Sequence, residues 1–172
     1  MSCNNTSYDR VFIIQRMFVR TAIIILKLAA LAPVTVMAED TVVLPENYCS
    51  WEVKDYAIEE PLCGLEGDAR RGEQIVTDSH LGNCLACHQL PIPGIEAYGT
   101  IGPPLQGVAS RFTEAQIRVR IVDTRNINPM SIMPGFYRDP RLINRPAKSY
   151  RGKTFLTAQQ VEDVIAYLVT LK

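Results

Sequence analysis

The residues with the clearest chemical spacing are Cys84-Leu85-Ala86-Cys87-His88. Two thiols separated by two residues, with an imidazole directly after the second, form the C-x-x-C-H pattern of covalent haem attachment. Each thiol adds to one vinyl group of the porphyrin, and the two-residue gap lets both sulfurs reach adjacent pyrrole edges. The imidazole of His88 then supplies an axial bond to iron. Three other chemistries use paired cysteines. A thioredoxin-like dithiol needs a βαβ context, which the surrounding sequence lacks. A zinc site needs two further ligands, and the chain has no second C-x-x-C and no H-x-x-x-H. A disulfide across two residues is strained. One covalent haem c, held by Cys84, Cys87 and His88, is the cofactor expected.

The face of the iron opposite His88 takes a sixth ligand or stays open. Downstream, Asn128-Pro129-Met130-Ser131-Ile132-Met133-Pro134-Gly135-Phe136 offers two thioethers in a loop bounded by proline and glycine. Met133 is the expected ligand, because Pro134 and Gly135 set a turn that can present it, and Met130 is the alternative. A His/Met pair raises the potential and closes the iron to small molecules, which suits electron transfer. Between the two motifs lies Ile101-Gly102-Pro103-Pro104-Leu105-Gln106-Gly107. A ligating histidine usually donates its second ring N–H to a carbonyl, and the Pro103 carbonyl is assigned that role. His80 is expected on the surface.

These groups need a scaffold, and the sequence reads as helical. Asp68 is a candidate N-cap for a helix through about Val76, with Gly72 inside it as a point of close helix approach. Thr113-Glu114-Ala115-Gln116 is a capping box that opens a helix through about Val122, and Thr157-Ala158-Gln159-Gln160 opens another toward the C-terminus. In the last, Val161, Val164, Ile165, Leu168 and Val169 recur at three and four residues, giving one apolar face. Tyr167 is placed to pack on Gly72. Strand patterns are few. The fold expected is an all-α domain wrapped round the haem, from residue 66 to 172.

The front of the chain differs. Arg10, Arg16 and Arg20 precede an apolar run, residues 21–32, and Val36-Met37-Ala38 has the exit of a secretory signal, so residues 1–38 read as a signal peptide, with Met17 a possible true start. The run is short for a membrane span and Lys27 interrupts it, so no membrane attachment is expected after cleavage. Residues 39–65 form an N-terminal extension. It holds Cys49 and Cys63, an even pair in an exported chain, which favours a disulfide, and the aromatics Tyr48, Trp51 and Tyr56. The whole chain has 18 basic and 18 acidic side chains. This balance gives no reason to expect nucleic acid. Removing the signal takes away four bases and one acid, leaving net −3. The signs are segregated: nine acids and one base lie between Glu39 and Asp68, six bases and one acid between Arg138 and Lys153. Solvated faces account for both. They also suit docking of a partner over the haem edge, flanked by complementary charge, with Phe136 and Tyr137 as candidate aromatics at its centre.

The order of Gly67-Asp68-Ala69, Cys84-Leu85-Ala86-Cys87-His88, Gly102-Pro103-Pro104-Leu105, Met133-Pro134 and a closing helix resembles class I cytochrome c. Gly82 through His88, Asn128-Pro129 through Tyr137, and Phe155-Leu156-Thr157-Ala158-Gln159-Gln160 through Leu168 resemble SoxX more closely. SoxX is the monohaem subunit of the sulfur-oxidation cytochrome complex. That resemblance implies a periplasmic heterodimer with a SoxA-type cytochrome subunit. It also implies membership of an L-cysteine S-thiosulfotransferase, which couples thiosulfate oxidatively to a cysteine of the carrier SoxYZ. The bond-forming cysteine would lie on the SoxA-type subunit. This chain, not catalytic alone, would carry electrons away to a soluble or membrane-bound acceptor. Two other classes remain: a free monohaem carrier of a respiratory chain, and a catalytic haem protein such as a peroxidase with an open iron.

Overall fold

Each of the three longer helices begins at a side chain that satisfies amides with no intrahelical partner. In the computed structural model, which describes residues 48–172, α1 (Ala69–Thr77) follows Asp68, whose carboxylate accepts the Arg71 N–H at 2.9 Å. After the short α2 (Val108–Arg111), α3 (Glu114–Asp123) and α4 (Ala158–Leu168) open on complete capping boxes, Thr113 with Gln116 and Thr157 with Gln160. Loops with short 3-10 turns join them. The described residues contain no strand, only an isolated bridge between Lys54 and Ala57. The expected signal peptide and residues 39–47 lie outside the described residues.

The close approach expected at Gly72 is present. A methyl group there would run into the Asp163 carbonyl and sit 2.8 Å from Tyr167 Cβ, and one at Gly67 would meet the Glu162 carbonyl and lie 2.9 Å from Ala166 Cβ. Two bare backbone positions thus let α1 cross directly over α4. Val161, Val164, Ile165 and Leu168 face inward with Val76, Val119 and Val122. The last helix stops at Leu168 and does not run to the C-terminus. The chain turns there, with Leu171 N–H bonding the Leu168 carbonyl, and the Leu171 carbonyl accepts the Ala109 N–H of α2 at 3.0 Å. Continued helix would take that carbonyl away from α2.

The described part of the N-terminal extension belongs to the same core. Ala57, Ile58 and Leu62 are buried, and Cys49 and Cys63 form a disulfide with Cα atoms 5.4 Å apart. A buried ion pair provides the anchor. Arg118 of α3 and Glu162 of α4, 2% and 3% exposed, meet at 3.0 Å. Arg118 also donates to the carbonyls of Ile58 and Glu59 and to Glu114, and Glu162 accepts the Leu62 N–H at 2.9 Å. With these donors and acceptors matched, the desolvated charges are tolerated. Tyr48 stacks on Tyr137 and the Trp51 indole donates to the Tyr137 carbonyl, whereas Tyr56 is exposed at a tight turn. Phe136 and Tyr137 are themselves buried. That corrects the expectation that they centre a docking surface: the extension and the helical core already cover them.

Candidate haem site

The C-x-x-C-H residues sit on a tight local frame. Asn83 takes a left-handed conformation (φ 46°), the chain enters a 3-10 turn at Cys84–Ala86, and His88 N–H donates to the Cys84 carbonyl at 2.9 Å. Residues 99–105 lie directly on this turn. Gly99 N–H donates to Leu85, Gly102 N–H to Cys87 and Leu105 N–H to Gln89, at 2.8, 2.8 and 2.9 Å. Two glycines permit the approach. A methyl at Gly99 would run into the Ala86 carbonyl, and one at Gly102 would strike the His88 ring.

The His88 ring is oriented by that loop. Its Nδ1 lies 2.7 Å from the Pro103 carbonyl oxygen. A carbonyl only accepts, so Nδ1 carries the proton and Nε2 keeps its lone pair for a metal. Arg111 braces the same loop from α2, donating to the Pro104 carbonyl at 3.0 Å and the Gln106 carbonyl at 2.8 Å. Cys84 and Cys87 are unpaired thiols, both half-buried. Burial, with the Cys87 thiol adding to it, pushes the Cys84 thiol up to about 12. Among the described residues no cluster of three His, Cys, Asp or Glu could hold a bare metal ion.

Met133 is half-buried and lines a cavity of about 450 Å³ together with Ile132, Pro134, Leu142, Phe155, Arg125 and Arg138. His88 does not line this cavity. Met130 does not line it either and is 86% exposed. The methionine loop is tied at both ends. Met133 N–H donates to Ser131 Oγ, Phe136 N–H to the Ile121 carbonyl and Tyr137 N–H to the Val122 carbonyl. Buried Asp123 pairs with Arg125 at 3.1 Å and Arg138 at 3.5 Å, and Gly135 leaves room for its carboxylate. His80 is exposed.

These residues fit haem c. Two unpaired thiols and an imidazole with a free Nε2 share one turn, and the flanking loops carry apolar Ile101, Ile132, Leu142 and Phe155 with much of their surface uncovered by protein. Gly99, Arg111 and Asp123 were not singled out from sequence. The Gly99-x-x-Gly102 spacing carried a readable hint of close backbone approach. Arg111 and Asp123 carried none, because each acts on backbone or side chains brought near by the fold.

The cytochrome c family model matches residues 69–172. The chain belongs to that family: it is an all-α class I cytochrome c with covalently bound haem c. More particularly, it is a SoxX-like monohaem cytochrome. It is 40% identical to a chain in the crystal structure of SoxXA from P. pantotrophus, with a TM-score of 0.65 over 71% of this chain and 94% of that one. It is also 31% identical, over 110 residues, to a cytochrome c-553-like protein of Synechocystis sp., covering 64% of this chain and 75% of the relative. Among the described residues no helix is long and apolar enough to cross a membrane.

Proposed function

We propose that this chain is the electron-accepting subunit of a SoxAX-type complex that couples thiosulfate to a carrier-protein cysteine. The observation that carries this reading is the 40% identity to a SoxXA chain across 94% of its length. Cys84 and Cys87 would hold the haem through thioethers, His88 would bind its iron through Nε2, and Met133 would supply a second iron ligand. When bound, the haem supplies a one-electron ferric/ferrous couple. The chain's own residues tune it. The Pro103 carbonyl holds the Nδ1 proton of His88, which fixes the ring and strengthens its donation. A thioether ligand from Met133 would raise the potential and close the iron, which argues against peroxidase chemistry. Met133 in the cavity wall, with Met130 in solvent, supports Met133 as the ligand.

Joining thiosulfate to a thiol forms one sulfur–sulfur bond and releases a proton and two electrons. A single haem takes one electron at a time, so the reading includes a SoxA-type partner that makes the bond, and a soluble or membrane-bound acceptor. The signal expected over residues 1–38 supports a periplasmic complex. The test is anaerobic stopped-flow absorbance of the oxidised protein mixed with a SoxA-type partner, a SoxYZ-type carrier and thiosulfate. Haem reduction should require all three. The likeness to a cytochrome c-553-like protein favours a second reading, a free electron carrier. In that case the haem stays oxidised even with all three present.

A further inference from the structure

We infer that the N-terminal segment, clipped by the Cys49–Cys63 disulfide, is a positioning device for the methionine loop. It holds Tyr137, four residues past Met133, and so suppresses dissociation of the sixth ligand. The inference rests on Met133 as axial ligand.

The contacts form one continuous chain. The Arg118–Glu162 pair anchors the far end of the segment, since Glu162 accepts the Leu62 N–H and Arg118 donates to the Ile58 carbonyl. Cys63 follows Leu62, and its disulfide ties that anchor to Cys49. The Cys49 N–H donates to the Tyr137 hydroxyl at 2.8 Å, the Trp51 indole N–H donates to the Tyr137 carbonyl at 3.2 Å, and the Tyr48 ring stacks on the Tyr137 ring at 4.9 Å. Tyr137 is 2% exposed. Next to it, Phe136 meets Phe155 edge-on at 6.5 Å, and Phe155 lines the cavity with Met133. The extension therefore grips the exit of the methionine loop at backbone, hydroxyl and ring. A purely structural clip has no need to converge three contacts on the one residue that ends this loop.

A loop that must open to free the iron gives exogenous imidazole a measurable handle. Its apparent affinity for the ferric protein equals the intrinsic affinity scaled by the open fraction. Trp51→Phe keeps the ring and removes only the indole N–H. Losing one hydrogen bond that exists only in the closed loop should tighten imidazole binding roughly two- to tenfold. Cys49→Ser/Cys63→Ser should tighten it at least as much, and Tyr137→Phe, which removes the acceptor for Cys49, should act in the same direction. Ile75→Val in α1 supplies a general destabilisation that leaves imidazole affinity unchanged. All variants are made as full-length holoprotein, with thermal unfolding measured in parallel.

The methionine-to-iron charge-transfer band of the ferric protein separates the two layers. If Met133→Ala keeps the band, the ligand assignment fails. If Met133→Ala loses the band but Trp51→Phe and the disulfide variant bind imidazole as the parent does, the ligand assignment stands and the clamp is overturned. It is also overturned if imidazole affinity simply follows thermal stability, with Ile75→Val shifting it equally.

Discussion

Gly102→Ala tests the site most directly, because the clash is confined to the proximal imidazole. A Cβ at this position would strike His88 Cε1 and fall 2.7 Å from Nε2. Neither partner yields easily. The ring is held by the Pro103 carbonyl at 2.7 Å and, in the reading above, by iron. The loop is held by the Gly102 N–H donating to the Cys87 carbonyl at 2.8 Å. Relief requires strain of about 1–3 kcal/mol, and with it the loss of one hydrogen bond at about 0.5–1.5 kcal/mol. A total near 3 kcal/mol should lower Tm by roughly 10 °C for a chain of this size. The control is Gly94→Ala, an exposed glycine at φ +79° with nothing within 4 Å of the added carbon, where only left-handed backbone strain of about 1–2 kcal/mol applies. The assay is guanidinium unfolding of the holoprotein beside potentiometric titration of the haem. A displaced His88 loses its bond to Pro103 and donates less strongly, so the potential of Gly102→Ala should rise while that of Gly94→Ala stays put. Stability within about 0.5 kcal/mol of the parent together with an unchanged potential would refute the reasoning.

Met133→Ala should abolish the methionine-to-iron band in absorbance spectra of the ferric protein, whereas Met130→Ala, at a side chain 86% exposed, should leave it intact. Glu162→Gln leaves the Arg118 charge buried with only the exposed Glu114 as an ionic partner; denaturant unfolding should show a loss of about 3–5 kcal/mol, much of it recovered when both residues are replaced by apolar ones of similar volume. Burial raises the Asp163 carboxyl, but hydrogen bonds from Arg71, the Asp68 N–H and Gln159 outweigh it and hold the group below the usual range. A depressed folded value means stability that is present above the unfolded pKa of about 4 and lost as pH falls through the folded one, so Asp163→Asn should flatten the stability–pH curve below about pH 4. Among the described residues Arg138 and Arg141 are paired with Asp123 and Asp139, while Arg145, Lys148 and Lys153 form no ion pair. Reversing those three charges should slow association with a SoxA-type partner and weaken its salt dependence in stopped-flow measurements; an unchanged on-rate at low salt would remove this patch from the docking surface.

Local chemistry was legible in the chain itself. C-x-x-C-H specifies its cofactor because two thiols and an imidazole act within five consecutive residues. The capping boxes at Thr113 and Thr157 specify helix starts because the partners are three residues apart. Gly72 marked a helix contact because a missing side chain inside a helix needs a reason. Other features depend on residues far apart in sequence. The early end of α4 follows from a carbonyl spent on α2. The burial of Tyr137 follows from a segment that begins 88 residues earlier at Cys49. Arg118 read as an ordinary helix charge until Glu162, 44 residues away, and the carbonyls of the extension surrounded it. A single side chain's burial is set by what the fold packs against it, and spacing along the chain records only neighbours one or two turns away.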